Sequence, residues 1–212
     1  SMLVRRGVLS SVVHAGQTAL YSPIFPLRYG ALLKGAAARA DIPASLLAAL
    51  VYVESRFSPD ALSGAGAIGL AQLMPSTARS VAKELYGTKT LSTRRIRRPK
   101  VNLTLGATLI AQLSAYFQGH PAPVLSGYNA GRGAARSWLR ARGHLPLDAF
   151  VETVPYQQTR RYVMRVIALA EVYRRLYRLD ESPLAVSMRL PLTVDKRRPT
   201  SPSNTGEDGV SS

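Results

Sequence analysis

Apolar residues recur at helical spacing along most of the chain between Tyr29 and Tyr177. An Ala/Leu-rich run from Tyr29 to Ala40 predicts a first helix. Asp41 followed by Pro43 is a start signal, a capping residue with proline in the first turn. Leu46, Leu47, Leu50, Val51 and Val53 then cover most of the next helix's circumference, so that helix should be buried on all sides. Ser58-Pro59-Asp60 ends it. From 61 to 73 the chain is rich in Gly and Ala, and strand and loop readings compete. Pro75 opens a helix to about Tyr86. Thr88 to Lys100 reads as a basic loop. Asn102 to Phe117 fits a helix with Leu105, Leu109 and Leu113 on one face. A short helix follows from Pro123 to Ala130, closed by Gly131, and another from about 132 to 141. The longest amphipathic helix runs from Tyr156 to Tyr177, with Val163, Val166, Ile167, Ala170, Tyr173 and Leu176 in register.

The ends differ from this middle. Residues 1–25 are weakly periodic and lead into Ser22-Pro23-Ile24-Phe25-Pro26, which should not be helical. After Ser182, Pro, Ser, Thr, Gly and charge dominate, so 181–212 is expected to be a largely disordered tail. One mostly helical domain is therefore expected over 26–180. No apolar run approaches the roughly 20 residues of a membrane span. The start Met2-Leu3-Val4-Arg5-Arg6 has a faintly signal-like look. Ser10, Ser11, His14, Gln17 and Thr18 interrupt any apolar region after it, and the segment is read as non-signal.

Composition narrows the chemistry. There is no cysteine, which excludes disulfides, zinc thiolates and a cysteine nucleophile. His14, His120 and His144 are scattered and form no metal cluster, and nothing else in the sequence suggests a metal or cofactor, so neither is expected. The formal charge is +16, from 28 Lys and Arg against 12 Asp and Glu. Such a field attracts polyanions: nucleic acid, anionic membrane surfaces, or cell-wall polymers bearing peptide carboxylates. Arg94-Arg95-Ile96-Arg97-Arg98-Pro99-Lys100 could contact nucleic acid, but it lacks the interleaved aromatics that stack bases, and no nucleic-acid partner is expected.

Carboxylates are sparse where a core is expected. After Glu54 and Asp60 the next acid is Glu84, and the one after that is Asp148. Glu54 closes a helix too apolar to lie on the surface. Desolvation there raises a carboxyl's pKa, and a carboxylic acid still protonated near neutrality is what glycoside cleavage needs to protonate its leaving oxygen. The competing reading is a surface or salt-bridged glutamate, with Arg56 close by.

The segment from Glu54-Ser55 through Ser63-Gly64-Ala65-Gly66 to Gly69-Leu70-Ala71-Gln72-Leu73-Met74-Pro75 closely resembles the catalytic motif of the soluble lytic transglycosylases, glycoside hydrolase family 23. Ser126-Gly127-Tyr128-Asn129-Ala130-Gly131 resembles the family's Ala-Tyr-Asn-Ala-Gly motif. Phe150-Val151-Glu152-Thr153-Val154-Pro155-Tyr156 through Thr159-Arg160-Arg161-Tyr162-Val163 resembles its closing motif. All three stand in the family's order. The resemblance implies a mainly α, goose-type lysozyme-like domain with at most a small β or loop element. It also implies peptidoglycan glycan strands as substrate, cut at the MurNAc–GlcNAc bond with a 1,6-anhydro end, by Glu54 acting as both acid and base. Ser63 and Gln72 are carried over as sugar contacts and Met74 as an apolar wall, with core filler as the rival reading for the methionine. Gly127, Tyr128 and Asn129 are carried over to the opposite cleft side, with the Tyr128 hydroxyl near Glu54. Glu152 and Tyr156 complete the expected substrate contacts. Gly127, Ala71 and Gln158 depart from the family's usual Ala, Met and Glu. The lead-in Phe25-Pro26-Leu27-Arg28-Tyr29 also resembles the family's, where it joins an upstream helical domain, so this chain reads as a fragment. A monomer in a periplasmic or envelope setting is implied. The basic loop is expected to help hold anionic peptidoglycan.

Overall fold

The computed structural model describes residues 21–87, 90–180 and 184. The expected tail thus falls outside the described residues except for Leu184, which is partly buried against the core. The described part is helical, with α1 Gly30–Arg39, α2 Ala44–Ser55, α3 Pro75–Tyr86, α4 Thr93–Arg97, α5 Pro99–Tyr116, α6 Pro121–Ala130, α7 Arg132–Arg142, α8 Leu147–Thr153 and α9 Gln157–Tyr177. The mainly α expectation holds. The Gly-rich stretch resolves as a loop: its only pairings among the described residues are isolated antiparallel bridges, Leu62 with Ile68 and Ile68 with Leu73.

Helix α2 is the central rod. Leu47, Ala48, Ala49, Leu50 and Val51 are fully buried, because apolar residues surround the whole circumference. Its longest neighbour is α9, where Val163, Val166, Ala170, Tyr173 and Leu176 of the expected stripe are buried, together with Tyr162 and Leu169, while Ile167 is only partly so. Asp180, just beyond α9, returns to cap α2: its two carboxylate oxygens accept from the backbone N–H groups of Ala44 and Ser45 at 2.8 and 2.9 Å. Those are orphan donors of a first helical turn, and an anion suits the positive end of a helix.

An aromatic cluster fastens the lead-in. Tyr173 and Tyr177 donate to the carbonyl oxygens of Pro26 and Phe25, at 3.0 and 2.7 Å. Tyr52 donates to Ile24 at 2.9 Å, and its ring lies 6.0 Å from those of both Phe25 and Tyr173.

Three expectations need correction. The basic loop is partly helical: Ser92 accepts from the Arg95 N–H and starts α4, which buries Ile96 completely. The next helix begins at Pro99, three positions before Asn102, because proline suits a first turn. By the same device α6 starts at Pro121. Helix α8 went unread, its seven residues being too few for helical periodicity to stand out, yet Leu147, Phe150 and Val151 bury one face.

Candidate active site

Glu54 lies in the last turn of α2, where the helix emerges from the core. Two left-handed residues follow it, Arg56 with φ 52° and Phe57 with φ 61°. They turn the chain sharply out of the helix, and Phe57 drops back into the core, 1% exposed. Burial of the Glu54 carboxyl pushes its pKa up to about 7, while donation from Tyr162 holds it below what desolvation alone would give. The Tyr162 hydroxyl is itself buried and has no partner at ordinary hydrogen-bond geometry, yet it is near enough to Glu54 for the two to shift each other's pKa. Glu54 and Tyr128 face Tyr162, and both raise the tyrosine's own pKa well above normal, after desolvation.

The Gly-rich loop is fastened beside this acid by side chains from three elements. Ser55 donates to the Leu70 carbonyl at 2.7 Å. Tyr128, on α6, donates to the Ala71 carbonyl at 2.8 Å. Asn102, fully buried on α5, accepts from the Ala71 N–H at 2.7 Å and donates to Ile68 at 3.0 Å and Ile96 at 3.1 Å. The close fit explains a glycine. Gly69 has φ +77°, and a Cβ there would lie 2.6 Å from the Asn102 amide nitrogen.

Within the loop, Ser63 Oγ accepts from the Ala67 N–H at 2.9 Å, so part of its hydrogen-bonding capacity closes a turn. Gln72 has φ 46°, and its side-chain amide donates to the Ala61 and Gly69 carbonyls at 3.1 and 3.0 Å. Its Oε1 has no partner among the described residues. Met74 ends the loop 40% exposed, which rules against the core-filler reading. Asn129 Oδ1 accepts from Thr159 Oγ1 at 2.8 Å, which leaves its amide N–H groups for a ligand. The structure therefore brings Glu54, Gln72, Met74, Tyr128 and Asn129 onto elements that meet at the end of α2.

Gly127 is a departure from the expected cleft contacts. It is buried within α6, and a Cβ there would meet Phe117 at 3.0 Å and Leu113 at 3.1 Å. It therefore lets α6 approach α5, and no side chain projects toward sugar. Glu152 is exposed on α8. Tyr156 is 58% exposed, its ring edge-on to Trp138 at 5.3 Å. Both are open to solvent. Arg160 donates to the Val154 carbonyl, a structural role.

Tyr162, Thr159 and Asn102 were not picked out from the sequence. The first two sit in the third motif, three positions apart, hence on one face of α9. Asn102 carried a weak signal, as an amide in an otherwise apolar helical stretch. Among the described residues no group of His, Asp and Glu could hold a metal, and no helix is long and apolar enough to cross a membrane.

A helical domain with a desolvated glutamate at the end of a buried helix, held under a fastened Gly-rich loop, is the architecture of the lysozyme-like enzymes. The chain belongs to the transglycosylase SLT domain family, which matches residues 31–151, more than half its length. It is 33% identical over 164 residues to the soluble lytic murein transglycosylase of Escherichia coli K12, covering 77% of this chain and 25% of that protein. It is 31% identical over 169 residues to the membrane-bound lytic murein transglycosylase D of the same organism, covering 78% of this chain and 34% of the other. Among solved structures, an inactive mutant of lytic transglycosylase Slt from Pseudomonas aeruginosa superposes with a TM-score of 0.74 at 34% identity, over 80% of this chain and 28% of that one. A complex of the 70-kDa soluble lytic transglycosylase with bulgecin A gives 0.73 at 31% identity, over 80% and 27%. The chain thus spans about a quarter of the length of these soluble relatives.

Proposed function

We infer that this chain is a peptidoglycan lytic transglycosylase domain, residues 26–180, with Glu54 as its single acid/base. The observation that carries the reading is a carboxyl whose pKa is raised to about 7 with no second carboxylate contributing to its electrostatics. Near neutral pH Glu54 therefore still carries the proton needed to protonate the oxygen linking MurNAc to GlcNAc in a share of the molecules, which an ordinary glutamate would not. The C1–O bond then breaks, and the positive charge at C1 is supported by the sugar's own 2-acetamido oxygen, since no second carboxylate serves as nucleophile. Glu54, now a carboxylate, takes the proton from the C6 hydroxyl. The C6 oxygen bonds to C1, giving a 1,6-anhydro end and returning the proton to Glu54. No water is consumed.

The other residues take supporting parts in this reading. The Tyr162 hydroxyl donates to Glu54 and favours its carboxylate in the second step. Tyr128 braces Ala71, so the loop presents Ser63 and the free Oε1 of Gln72 to sugar. Met74 forms an apolar wall, and the Asn129 amide, oriented by Thr159, donates to the sugar from the far side. Glu152 and Tyr156 contact more distant parts of the strand. The domain works as a monomer, without metal or cofactor, in the periplasm. Its described lead-in, residues 21–25, is fastened by Tyr52 and Tyr177.

A goose-type lysozyme would use the same acid with water in place of the C6 hydroxyl. Mass spectrometry of products from purified peptidoglycan, with wild type and Glu54→Gln, separates the two. Anhydro-muropeptides from wild type alone are expected. Reducing ends, one water heavier, would move the assignment to a hydrolase. No soluble product from the wild-type chain would refute the catalytic reading.

A further inference from the structure

Between Asp60 and Asp148 the only acid is Glu84, and its carboxylate accepts from Gln112 at 2.9 Å, on the side of α3 that faces α5. The opposite edge of α3 carries Arg79 and Lys83, four residues apart and both exposed. Arg79 donates to the Leu91 carbonyl at 3.3 Å, which lays this edge against the segment that leads into α4. There Arg94, Arg95 and Arg98 are exposed, and Lys100 follows in the first turn of α5. None of the six is ion-paired among the described residues. They lie on a rigid shelf: Ile96 anchors α4 in the core, and its carbonyl is bonded to Asn102.

The same Asn102 side chain bonds Ile68 and Ala71 of the loop beside Glu54. One buried amide therefore ties the shelf and the candidate cleft into one piece. Helix α3 runs from Met74, at the cleft, toward the shelf. Arg79 and Lys83 stand roughly 8 and 14 Å along it, at 1.5 Å per residue.

We propose that this shelf of α3 and α4 is a second binding surface of the domain, for the free carboxylates of peptidoglycan stem peptides, and that it retains the polymer while the cleft acts. The inference rests on the reading of the cleft as a peptidoglycan site. Four of the six cations are arginines, whose planar forks match carboxylates bidentately. Exposed cations on neighbouring turns reinforce one another within the Debye length of about 8 Å at physiological salt. A polymer bearing many carboxylates exploits that spacing, and a peptide-free glycan does not.

The test uses the full chain as Glu54→Gln, sedimented with isolated sacculi over a salt series, beside the same protein carrying Arg94→Gln, Arg95→Gln and Arg98→Gln. Sacculus binding should weaken steeply with salt and fall at least tenfold in the triple variant. With Glu54 restored, the triple variant should raise KM for intact sacculi several-fold, leaving kcat and the turnover of peptide-free glycan strands unchanged. Binding indifferent to salt or to the three substitutions would overturn the proposal. So would an equal loss on peptide-free strands, or a preference for phosphatidylglycerol vesicles over sacculi that the same substitutions abolish. The sedimentation result does not depend on turnover, so an inactive cleft and an inert shelf are told apart.

Discussion

The Tyr128 hydroxyl donates to the carbonyl oxygen of Ala71, not to Glu54, although Glu54 is close enough to raise the tyrosine's pKa further. A residue expected near the acid is near it, and uses its hydroxyl to hold the loop beside it. Gly106, beneath, leaves the room: a Cβ there would come within 2.8 Å of the Ala71 methyl and 3.6 Å of the Tyr128 hydroxyl. The hydroxyl that lowers the acid's pKa comes from elsewhere, from Tyr162 on α9.

Replacing Glu54 by Gln should separate activity from stability. Turnover should fall by at least the ~10²–10⁴-fold that a positioned acid/base supplies. The folded pKa of about 7 lies above the ordinary 4.5, so the folded state holds a proton that the unfolded chain releases between those values. Wild type therefore loses stability relative to Glu54→Gln as pH rises from 4.5 to 7, by up to about 3 kcal/mol, and the gap stays constant above that. Denaturant unfolding of both proteins from pH 4 to 9 checks this. A gap independent of pH would contradict the buried-acid reading.

Tyr162→Phe should move the pH profile. Donation from the hydroxyl lowers the Glu54 pKa, so its loss raises that pKa further. The alkaline limb of kcat/KM, expected near pH 7 for wild type, should shift upward, while kcat falls because the carboxylate needed in the second step is less favoured. An unshifted limb in kcat/KM measured from pH 5 to 9 would remove Tyr162 from this role.

Asn102→Leu should cost more than its position suggests. The substitution leaves the Ala71 N–H and the Ile68 and Ile96 carbonyls without their side-chain partner. The Ile68 carbonyl keeps the Leu73 N–H, so at about 1–3 kcal/mol for each of the other two buried groups a loss of at least ~2 kcal/mol is expected in urea melts. Activity should fall even where the protein remains folded, because the loop beside Glu54 loses its tether.

Asp180→Ala should behave in the opposite way. It removes the cap on the first turn of α2, at the end remote from Glu54. Stability should drop by about 1–2 kcal/mol in thermal or denaturant unfolding, while kcat measured below the new melting range stays at the wild-type value.

Much of this was legible in order along the chain. The buried helix that carries Glu54 and the long stripe of α9 follow from apolar spacing alone. The left-handed turns at Gly66 and Gly69 follow from glycine. The residues that escaped act across the fold: Asn102 bonds backbone groups 31 and 34 positions away, and Thr159 meets Asn129 over 30. No local pattern encodes such partners. Gly127 misled for a related reason. It sits inside a recognisable motif, but its lack of a side chain serves the contact with Phe117 and Leu113. The helical turn in the basic loop escaped because five residues, four of them polar, show no periodicity.

The chain comes into the domain past the Phe25 and Pro26 carbonyls, held by Tyr177 and Tyr173, and departs past Asp180, which caps α2. Arrival and departure are thus pinned to the same pair of helices, on one side of the molecule. A unit stitched shut in this way is a cassette: it can be spliced between other folded parts without separating its own ends. Pulling on the departing flank loads α9 and the far end of α2, whereas pulling on the arriving one also loads Tyr52, two residues before the acid.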